Sequence, residues 1–348
     1  MVNVIKQGIV LSKTELGFEN EGVLNPAVIK VGEDIHLYYR AVSKGNYSSI
    51  GHCILKDIND ISERFDTPAL FPQFDYESHG VEDPRIVKID DLYYLTYTGY
   101  DGVNALGVLS VSKDLVIWER KGIIVPQIIY KEFNRLAGSK NALNEKYKRY
   151  NNDGGIAEKK GKKVLLWDKN VMFFPRRING KLHFLHRIKP DIQIVCIDEL
   201  EELTPEFWQN YFYHFECNIV LSPKYDFEIN YLGGGCPPIE TAHGWILIYH
   251  AVHDSIEGYV YSACAALLDL DNPEKELARL PYPLFFPEEN WELKGEVNNV
   301  CFPTGAIVIE DTLYIYYGAA DERIGLASLI LSELLQELLN NSMEVVSL

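Results

Sequence analysis

A short charged stretch combines the residue types that acid–base chemistry requires. Glu82 and Asp83 precede Pro84, and Arg85 follows it directly. Proline fixes its own φ and biases the preceding residue towards an extended backbone, so this cluster enters a strand in a defined orientation. A carboxyl group held beside a cation in this way is suited to protonating a leaving group. Taken alone, the same residues fit equally well a surface turn whose charges pair with one another.

The residues after this cluster predict a β-hairpin. From Ile86 to Gly99 apolar and polar residues alternate on both sides of a turn at Asp90-Asp91, which is the period of a strand. Four other stretches have the same layout, and the five repeats begin near residues 25, 83, 174, 237 and 302. Each contains a proline near its start, and these prolines are separated by 58, 91, 63 and 65 residues: Pro26, Pro84, Pro175, Pro238 and Pro303.

Five strand-rich repeats with a period near 60 residues indicate an all-β, five-bladed β-propeller. We expect residues 1–348 to form a single domain, because no linker separates the repeats. The longest interval contains a helical insertion at about 130–161, with a helical piece near Asn141–Arg149. We interpret it as a solvated loop, with a lid or a contact in a homo-oligomer as alternatives. Helices are also predicted over Glu199–Tyr213 and in the tail at Leu331–Asn341.

Composition limits the classes of function. The 348 residues carry a formal net charge of −17, which argues against nucleic acid or an anionic membrane as the partner. The N-terminus lacks the pattern of a signal peptide, and no apolar run approaches the roughly 20 residues that span a bilayer. The six cysteines have no metal-type spacing, so we expect reduced core thiols in a cytoplasmic protein.

Equivalent positions of the repeats are expected to converge, because the first strand of every blade lines the channel of a propeller. They combine a carboxylate with several cations, unlike a metal site, and this suits an acid beside a pocket for an anion. No metal and no cofactor is expected. The converging residues are Asn25, Arg40, Asp83, Arg85, Lys169, Arg187, His250 and Asp321.

Taken in order, the five repeats resemble glycoside hydrolase family 130, which contains mannoside phosphorylases and related mannosidases. The similarity covers roughly residues 20–328. The motifs that carry it are Asn25-Pro26, Tyr39-Arg40, Glu82-Asp83-Pro84-Arg85, Lys169-Asn170, Leu185-His186-Arg187, Gly235-Cys236-Pro237-Pro238, Tyr249-His250 and Ala319-Ala320-Asp321.

The resemblance implies an enzyme that cleaves β-mannosides with inversion. Asp83 matches the general acid, which protonates the glycosidic oxygen through a sugar hydroxyl. Inorganic phosphate then attacks the anomeric carbon from the opposite face and gives mannose 1-phosphate. The substrate is a β-linked manno-oligosaccharide or mannosyl-glucose, with phosphate as co-substrate. The implied substrate-binding residues are Asn25, Arg40, Arg85 and Asp321, and the implied phosphate-binding residues are Lys169, Arg187, Tyr231 and His250.

Tyr231 departs from the family pattern. It stands where phosphorolytic members have lysine and some hydrolytic members have glutamate, and Arg176 stands where those hydrolytic members tend to carry another glutamate. Phosphorolysis is favoured because both hydrolytic carboxylates are missing, whereas inverting hydrolysis by water needs a base. An inverting β-mannosidase remains the alternative, with Glu82, Glu216 and Glu240 as fallback candidates for the base.

Two further interpretations carry less weight. A five-bladed furanosidase would need an aspartate in the first repeat, where this chain has Asn25. A non-catalytic glycan-binding propeller would not need such a concentration of charge at the rim of the channel.

Overall fold

The computed structural model describes residues 1–140, 142–151, 156, 158–256 and 258–342, which are mostly β. The strands are β1 (Ile5–Leu11), β2 (Gly22–Val31), β3 (Asp34–Ser43), β4 (Tyr47–Leu55), β5 (Ile61–Arg64), β6 (Gly80–Ile89), β7 (Leu92–Tyr100), β8 (Ala105–Ser112), β9 (Glu119–Ile123), β10 (Glu158–Lys159), β11 (Lys162–Lys163), β12 (Lys169–Phe173), β13 (Leu182–Arg187), β14 (Ile192–Ile197), β15 (Ile219–Leu221), β16 (Tyr231–Gly234), β17 (Ile239–Thr241), β18 (Gly244–Ser255), β19 (Gly258–Leu268), β20 (Glu276–Arg279), β21 (Cys301–Ile309), β22 (Thr312–Ala319) and β23 (Arg323–Ile330). The α-helices are α1 (Tyr130–Ala137), α2 (Glu145–Tyr150), α3 (Pro205–Tyr213), α4 (Asn290–Leu293) and α5 (Leu331–Asn340).

The strands form four main sheets and the small hairpin β10-β11. Three sheets have the orders β1-β23-β22-β21, β12-β13-β14-β15 and β16-β18-β19-β20, the last with β17 beside β18. The largest has the order β2-β3-β4-β6-β7-β8-β9 with β5 beside β4, and the parallel pair Ser48 and Gly80 joins its two halves. The prediction of a mostly-β fold is confirmed, and within the described ranges no sheet closes on itself.

The predicted hairpin turns are present. Asn179 and Gly180 have φ angles of 52° and 81°, the left-handed conformation that a two-residue hairpin turn requires. Asp90 and Glu310 begin the corresponding turns of other repeats with φ angles of 53° and 54°. Local turn chemistry therefore sets where each hairpin reverses.

The predicted helical segments are also found, with shifted ends. Helix α3 begins after Thr204, whose hydroxyl accepts a hydrogen bond from the Phe207 amide, and α5 covers the predicted tail helix. The insertion holds α1 and α2, and α2 overlaps the predicted helical piece. Residues 141, 152–155, 157, 257 and 343–348 lie outside the described residues, and they include parts of the predicted insertion. None of the described helices is long and apolar enough to cross a membrane.

The cysteines partly contradict the prediction of core thiols. All six are free, and four of them are buried. Cys196 and Cys217 are instead exposed, because Cys196 is on the solvent-facing side of β14 and Cys217 is in a 3-10 turn at Phe215–Asn218.

Three inner strands carry a bulge at equivalent positions. The pairing register shifts between Leu24 and Ala27 in β2, and similar shifts occur in β6 and β12. At these shifts Asn25, Asp83 and Asn170 have φ angles of 49°, 51° and 55°. Asn and Asp enter the left-handed region more readily than other side-chain-bearing residues. A bulge re-aims a side chain, so the same local irregularity directs one polar residue per strand.

Four repeats contain the same buried cluster of a carboxylate, a tyrosine and a cation, which we call the carboxylate cluster. In each, a glutamate with no solvent exposure accepts a hydrogen bond from a tyrosine on the second strand and pairs with arginine or lysine. The clusters are Glu19 with Tyr39 and Arg64, Glu77 with Tyr97 and Arg120, Glu228 with Tyr249 and Arg279, and Glu292 with Tyr317 and Lys6.

The remaining repeat has a variant of this cluster. His186 takes the place of the tyrosine, and its Nδ1 lies 2.8 Å from Asp168 Oδ2. Neighbouring residues of a strand point to opposite faces. A strand held through Tyr39 or His186 therefore presents the next residue, Arg40 or Arg187, on the other face.

Loss of one hydroxyl from a carboxylate cluster tests its contribution to stability. We expect Tyr249→Phe to lower the free energy of unfolding by about 1 to 3 kcal/mol, because the buried Glu228 loses a charge-assisted hydrogen bond. Urea denaturation measures this change. Tyr47→Phe is the matched control, since the Tyr47 ring is 46% exposed, and it should leave stability unchanged. Equal stability of the two variants would contradict the assignment.

Candidate functional site

One cavity of about 240 Å³ gathers most of the predicted site residues. Its walls come from β2, β3, β6, β12, β13, β16 and the turn after β22, so all five repeats contribute. Seven of the nine predicted residues line it: Asn25, Arg40, Asp83, Lys169, Arg187, Tyr231 and Asp321.

Asp83 is held by hydrogen bonds and by cations. The Asn25 amide donates to Asp83 Oδ1 at 2.7 Å, and Arg40 Nη1 lies 3.6 Å from the same oxygen. Burial acts to raise the pKa of Asp83, but three neighbouring cations, Arg40 the strongest, and the hydrogen bond from Asn25 outweigh it and lower the pKa below its ordinary value. Asp83 is therefore ionised at neutral pH.

The pKa of Asp321 is shifted in the opposite direction from that of Asp83. Burial raises its pKa to about 6, with Arg40 opposing the rise and the like charge of Asp83 adding to it. Environments that push the pKa values of two carboxyls apart let one hold a proton while the other stays charged. The guanidinium of Arg40 is fixed by Glu82 and Ser48, which accept hydrogen bonds of 3.0 and 2.9 Å.

Besides Arg40, three cations line the same cavity: Lys169, Arg187 and Lys189. Burial lowers the pKa of Lys169 and of Arg187, and burial together with these two neighbours lowers the pKa of Lys189 to about 6. The buried Nε of Arg187 has no hydrogen-bond partner within the described ranges. Cations crowded in this way are stabilised by an anion, which suits the cavity to a phosphate-like ligand.

Tyr231 enters the cavity as a neutral phenol. Its hydroxyl shares a hydrogen bond of 2.7 Å with the Tyr261 hydroxyl. Burial raises the pKa of Tyr231 far above its ordinary value, so this side chain can donate a hydrogen bond but is a poor base at neutral pH.

Arg85 and His250 are the predicted residues that do not line the cavity. The buried Arg85 guanidinium donates hydrogen bonds of 2.7 to 3.0 Å to the carbonyls of Asp83, Gly234 and Gly235, and so joins two repeats behind the site. His250 is fully buried, and neither ring nitrogen has a partner among the described residues. Burial and the surrounding cations hold the pKa of His250 well below its usual value, so the ring is neutral.

The fallback candidates for a hydrolytic base are not among the residues that line the cavity. Glu82 is buried in its ion pair with arginine. Glu240 forms a half-exposed ion pair of 2.7 Å with Arg176, and Glu216 is exposed. The two aspartates described above are the carboxylates that face the cavity.

Seven of the residues that line the cavity were not selected from the sequence, and three of them bring polar or exposed aromatic groups that bear on function. Asn170 had a usable signal, because it takes the same bulge position as Asn25 and Asp83. Trp167 is 40% exposed, which makes its ring available as a platform for a sugar. Lys189 gave no sequence signal, since it lies in a loop after β13 whose path depends on tertiary contacts.

The fold is mostly β, and its cavity brings carboxylates and cations to one space. The chain belongs to glycoside hydrolase family 130, whose model, described as beta-1,4-mannooligosaccharide phosphorylase, matches residues 9–151 and 145–340. The predicted family is therefore confirmed.

Curated relatives are similar over nearly the whole chain. The 1,2-beta-oligomannan phosphorylase of Thermoanaerobacter sp. (strain X514) is 34% identical over 94% of this chain and 96% of its own. A beta-1,2-mannobiose phosphorylase of the same organism is 36% identical over 89% and 90% of the two chains. These relatives are phosphorylases by name.

Solved structures share the fold. The beta-1,2-mannobiose phosphorylase from Listeria innocua, in complex with beta-1,2-mannobiose, has a TM-score of 0.72 and 22% identity over 97% of this chain and 99% of its own. A second structure has a TM-score of 0.73 and 22% identity, and the match covers 94% of this chain and 93% of its own. It is described together with the finding that the family of mannoside phosphorylases contains glycoside hydrolases that target beta-1,2 mannosidic linkages in Candida mannan. At such identity the likeness establishes the fold alone.

The raised pKa of Asp321 predicts a pH-dependent stability. The folded chain holds this proton more tightly than the unfolded chain, so Asp321 ionises at a cost to stability as pH rises through about 6. We expect Asp321→Asn to raise the free energy of unfolding at pH 7 by about 1 to 2 kcal/mol, with the gain vanishing towards about pH 4. Urea denaturation at both pH values measures it, with Asp60→Asn on the exposed surface as control. A gain that does not vary with pH would contradict the electrostatic explanation.

Proposed function

We propose that this protein is an inverting β-mannoside phosphorylase that releases mannose 1-phosphate from β-1,2-linked manno-oligosaccharides. The names of its two Thermoanaerobacter relatives support both the reaction and the linkage. The observation that carries the proposal is the cavity itself, in which the carboxylate of Asp83 faces the same space as a group of cations.

Phosphorolysis fits this set of residues better than hydrolysis does. Inorganic phosphate is already an anionic nucleophile and needs positioning, which Lys169 and Arg187 supply as charged donors. Water would need a carboxylate base on the opposite side of the sugar from the acid. The glutamates considered for that role do not line the cavity.

The proposed steps use the lining residues in distinct roles. Asn25, Arg40 and Asp321 hold the non-reducing mannose through its hydroxyl groups. Lys169 and Arg187 bind phosphate so that one oxygen attacks the anomeric carbon. Tyr231 donates a hydrogen bond to the phosphate, whereas Arg85 and His250 keep the surrounding backbone and rings in place from behind.

The proton on Asp83 must be acquired before the glycosidic bond breaks. Lys169, one of the cations that lower the pKa of Asp83, also belongs to the proposed phosphate site, so the negative charge of bound phosphate offsets part of this pull and raises the pKa. A protonated Asp83 then passes its proton through a sugar hydroxyl to the leaving oxygen, and the acceptor sugar departs as an alcohol.

The architecture that we propose is one domain with five blades around the cavity. Its support is the repetition of the carboxylate cluster and of the inner bulge. Strand β1 also pairs with β23 in the last sheet, a pairing that ties the first strand to the last repeat. We place the reaction in the cytoplasm, where phosphate is available and a charged sugar phosphate is retained.

The first test is a product assay. Purified protein is incubated with β-1,2- and β-1,4-mannobiose and with mannosyl-glucose, with and without phosphate, and mannose 1-phosphate and free mannose are measured. We expect mannose 1-phosphate from the β-1,2 substrate and only with phosphate. Asp83→Asn should lower the rate by roughly 10²- to 10⁴-fold through loss of the acid.

The controls separate the competing functions. Asp60→Asn, on the exposed surface, should retain full activity. Free mannose formed at a rate independent of phosphate would contradict phosphorolysis and support a β-mannosidase. Binding of mannobiose with no turnover, unchanged in Asp83→Asn, would support a glycan-binding protein.

A further inference from the structure

Lys189 is the lining cation that no family motif predicted. Its Nζ lies 3.7 Å from the centroid of the Tyr231 ring, and both side chains line the same cavity as Arg187. Burial keeps Tyr231 a neutral phenol, so this side chain brings no charge of its own to the cavity. The Lys189 amine therefore lies directly over an uncharged side chain.

The surroundings of Lys189 leave its charge without a carboxylate partner. Within the described residues no carboxylate forms an ion pair with it. Arg187 from β13 and Lys169 from β12 repel it, while Tyr231 from β16, paired with the Tyr261 hydroxyl from β19, offers a ring face. A lysine placed against other cations in a buried cavity holds its proton weakly, and a bound anion restores the charged form.

Helix α2 of the insertion fixes the loop that carries Lys189. The Asn151 side-chain amide, just after α2, donates a hydrogen bond to the Lys189 carbonyl, and the Tyr147 hydroxyl donates one to Asp191. The ring of Tyr150 also packs edge-on against Tyr231, with 6.1 Å between centroids. Residues of the insertion thus contact both the loop that carries Lys189 and the ring of Tyr231 beneath the Lys189 amine.

We propose that Lys189 is a further phosphate-binding residue, which supplies over the Tyr231 ring the positive charge that position 231 lacks, and that helix α2 positions it. This inference rests on the proposed phosphorolysis. It gives the insertion a role in co-substrate binding.

A proton movement follows from this assignment. Burial, Arg187 and Lys169 lower the pKa of Lys189 to about 6, so most of its amine is neutral at pH 8. A bound dianion raises that pKa. Binding of phosphate at pH 8 should therefore take up a proton onto Lys189 Nζ.

The test measures anion binding without any sugar. Calorimetry with phosphate, and with sulfate as a dianion whose charge does not change between pH 6 and 8, is performed on the wild type, Lys189→Met and Lys189→Arg. We expect roughly ten- to hundredfold weaker binding of both anions by Lys189→Met, and affinity within a few-fold of wild type for Lys189→Arg. Lys113→Met, at an exposed lysine, is the matched control and should bind normally.

Proton uptake gives a readout that a merely structural role would not change. Sulfate binding at pH 8 in buffers of different ionisation enthalpy should show proton uptake by the wild type, and less of it by Lys189→Met. Tyr147→Phe, which keeps Lys189 but loses the bond to Asp191, should weaken phosphate binding several-fold and raise the KM for phosphate more than it lowers kcat.

The outcomes distinguish this inference from the proposed function. Wild-type phosphorolysis with unchanged anion affinity in Lys189→Met would overturn the role of Lys189 alone. A wild type that binds neither anion and forms no mannose 1-phosphate would overturn both. If Lys189→Met does not fold, Lys189→Gln and Tyr147→Phe are judged by the same affinities, and wild-type affinity in either would overturn the proposal.

Discussion

The buried carboxylate clusters are the interaction on which the site depends. Each places a fully desolvated carboxylate against an aromatic hydroxyl or imidazole and, in four repeats, a cation, so that a buried charge is paired and hydrogen-bonded. Removing one partner of such a pair costs several kcal/mol, whereas the intact cluster holds the second strand in a single position. Because strands alternate their faces, fixing Tyr39 or His186 on one side also orients Arg40 or Arg187 on the other.

The cavity concentrates charged side chains that the protein's own groups do not balance well. Asp83 is held ionised by nearby cations, while Asp321 has its pKa raised to about 6 by burial. Lys169, Arg187 and Lys189 have lowered pKa values for the same reason of burial. Such preorganisation reduces stability but leaves charges positioned where a sugar and an anion can use them.

Bulges in the backbone of three inner strands also place polar residues at the cavity. Asn25, Asp83 and Asn170 adopt left-handed conformations at bulges of three inner strands, and each of them lines the cavity. The amide oxygens of Asn25 and Asn170 are buried without a partner in the part of the chain that the structure describes. Gly318 makes room for this arrangement, since a Cβ there would lie 1.9 Å from Asn25 Oδ1. Strained backbone and unpaired polar atoms at one place are typical of a binding site.

The sequence by itself determined the repeats, their turns and half of the residues that line the cavity, because strand alternation, turn chemistry and the charged motif around Asp83 are local properties. Only the tertiary structure decided that Arg85 and His250 lie behind the cavity and that Lys189 enters it. Those positions depend on how separate sheets pack and on a loop that the insertion holds in place. Neither of these produces a periodic pattern in the sequence.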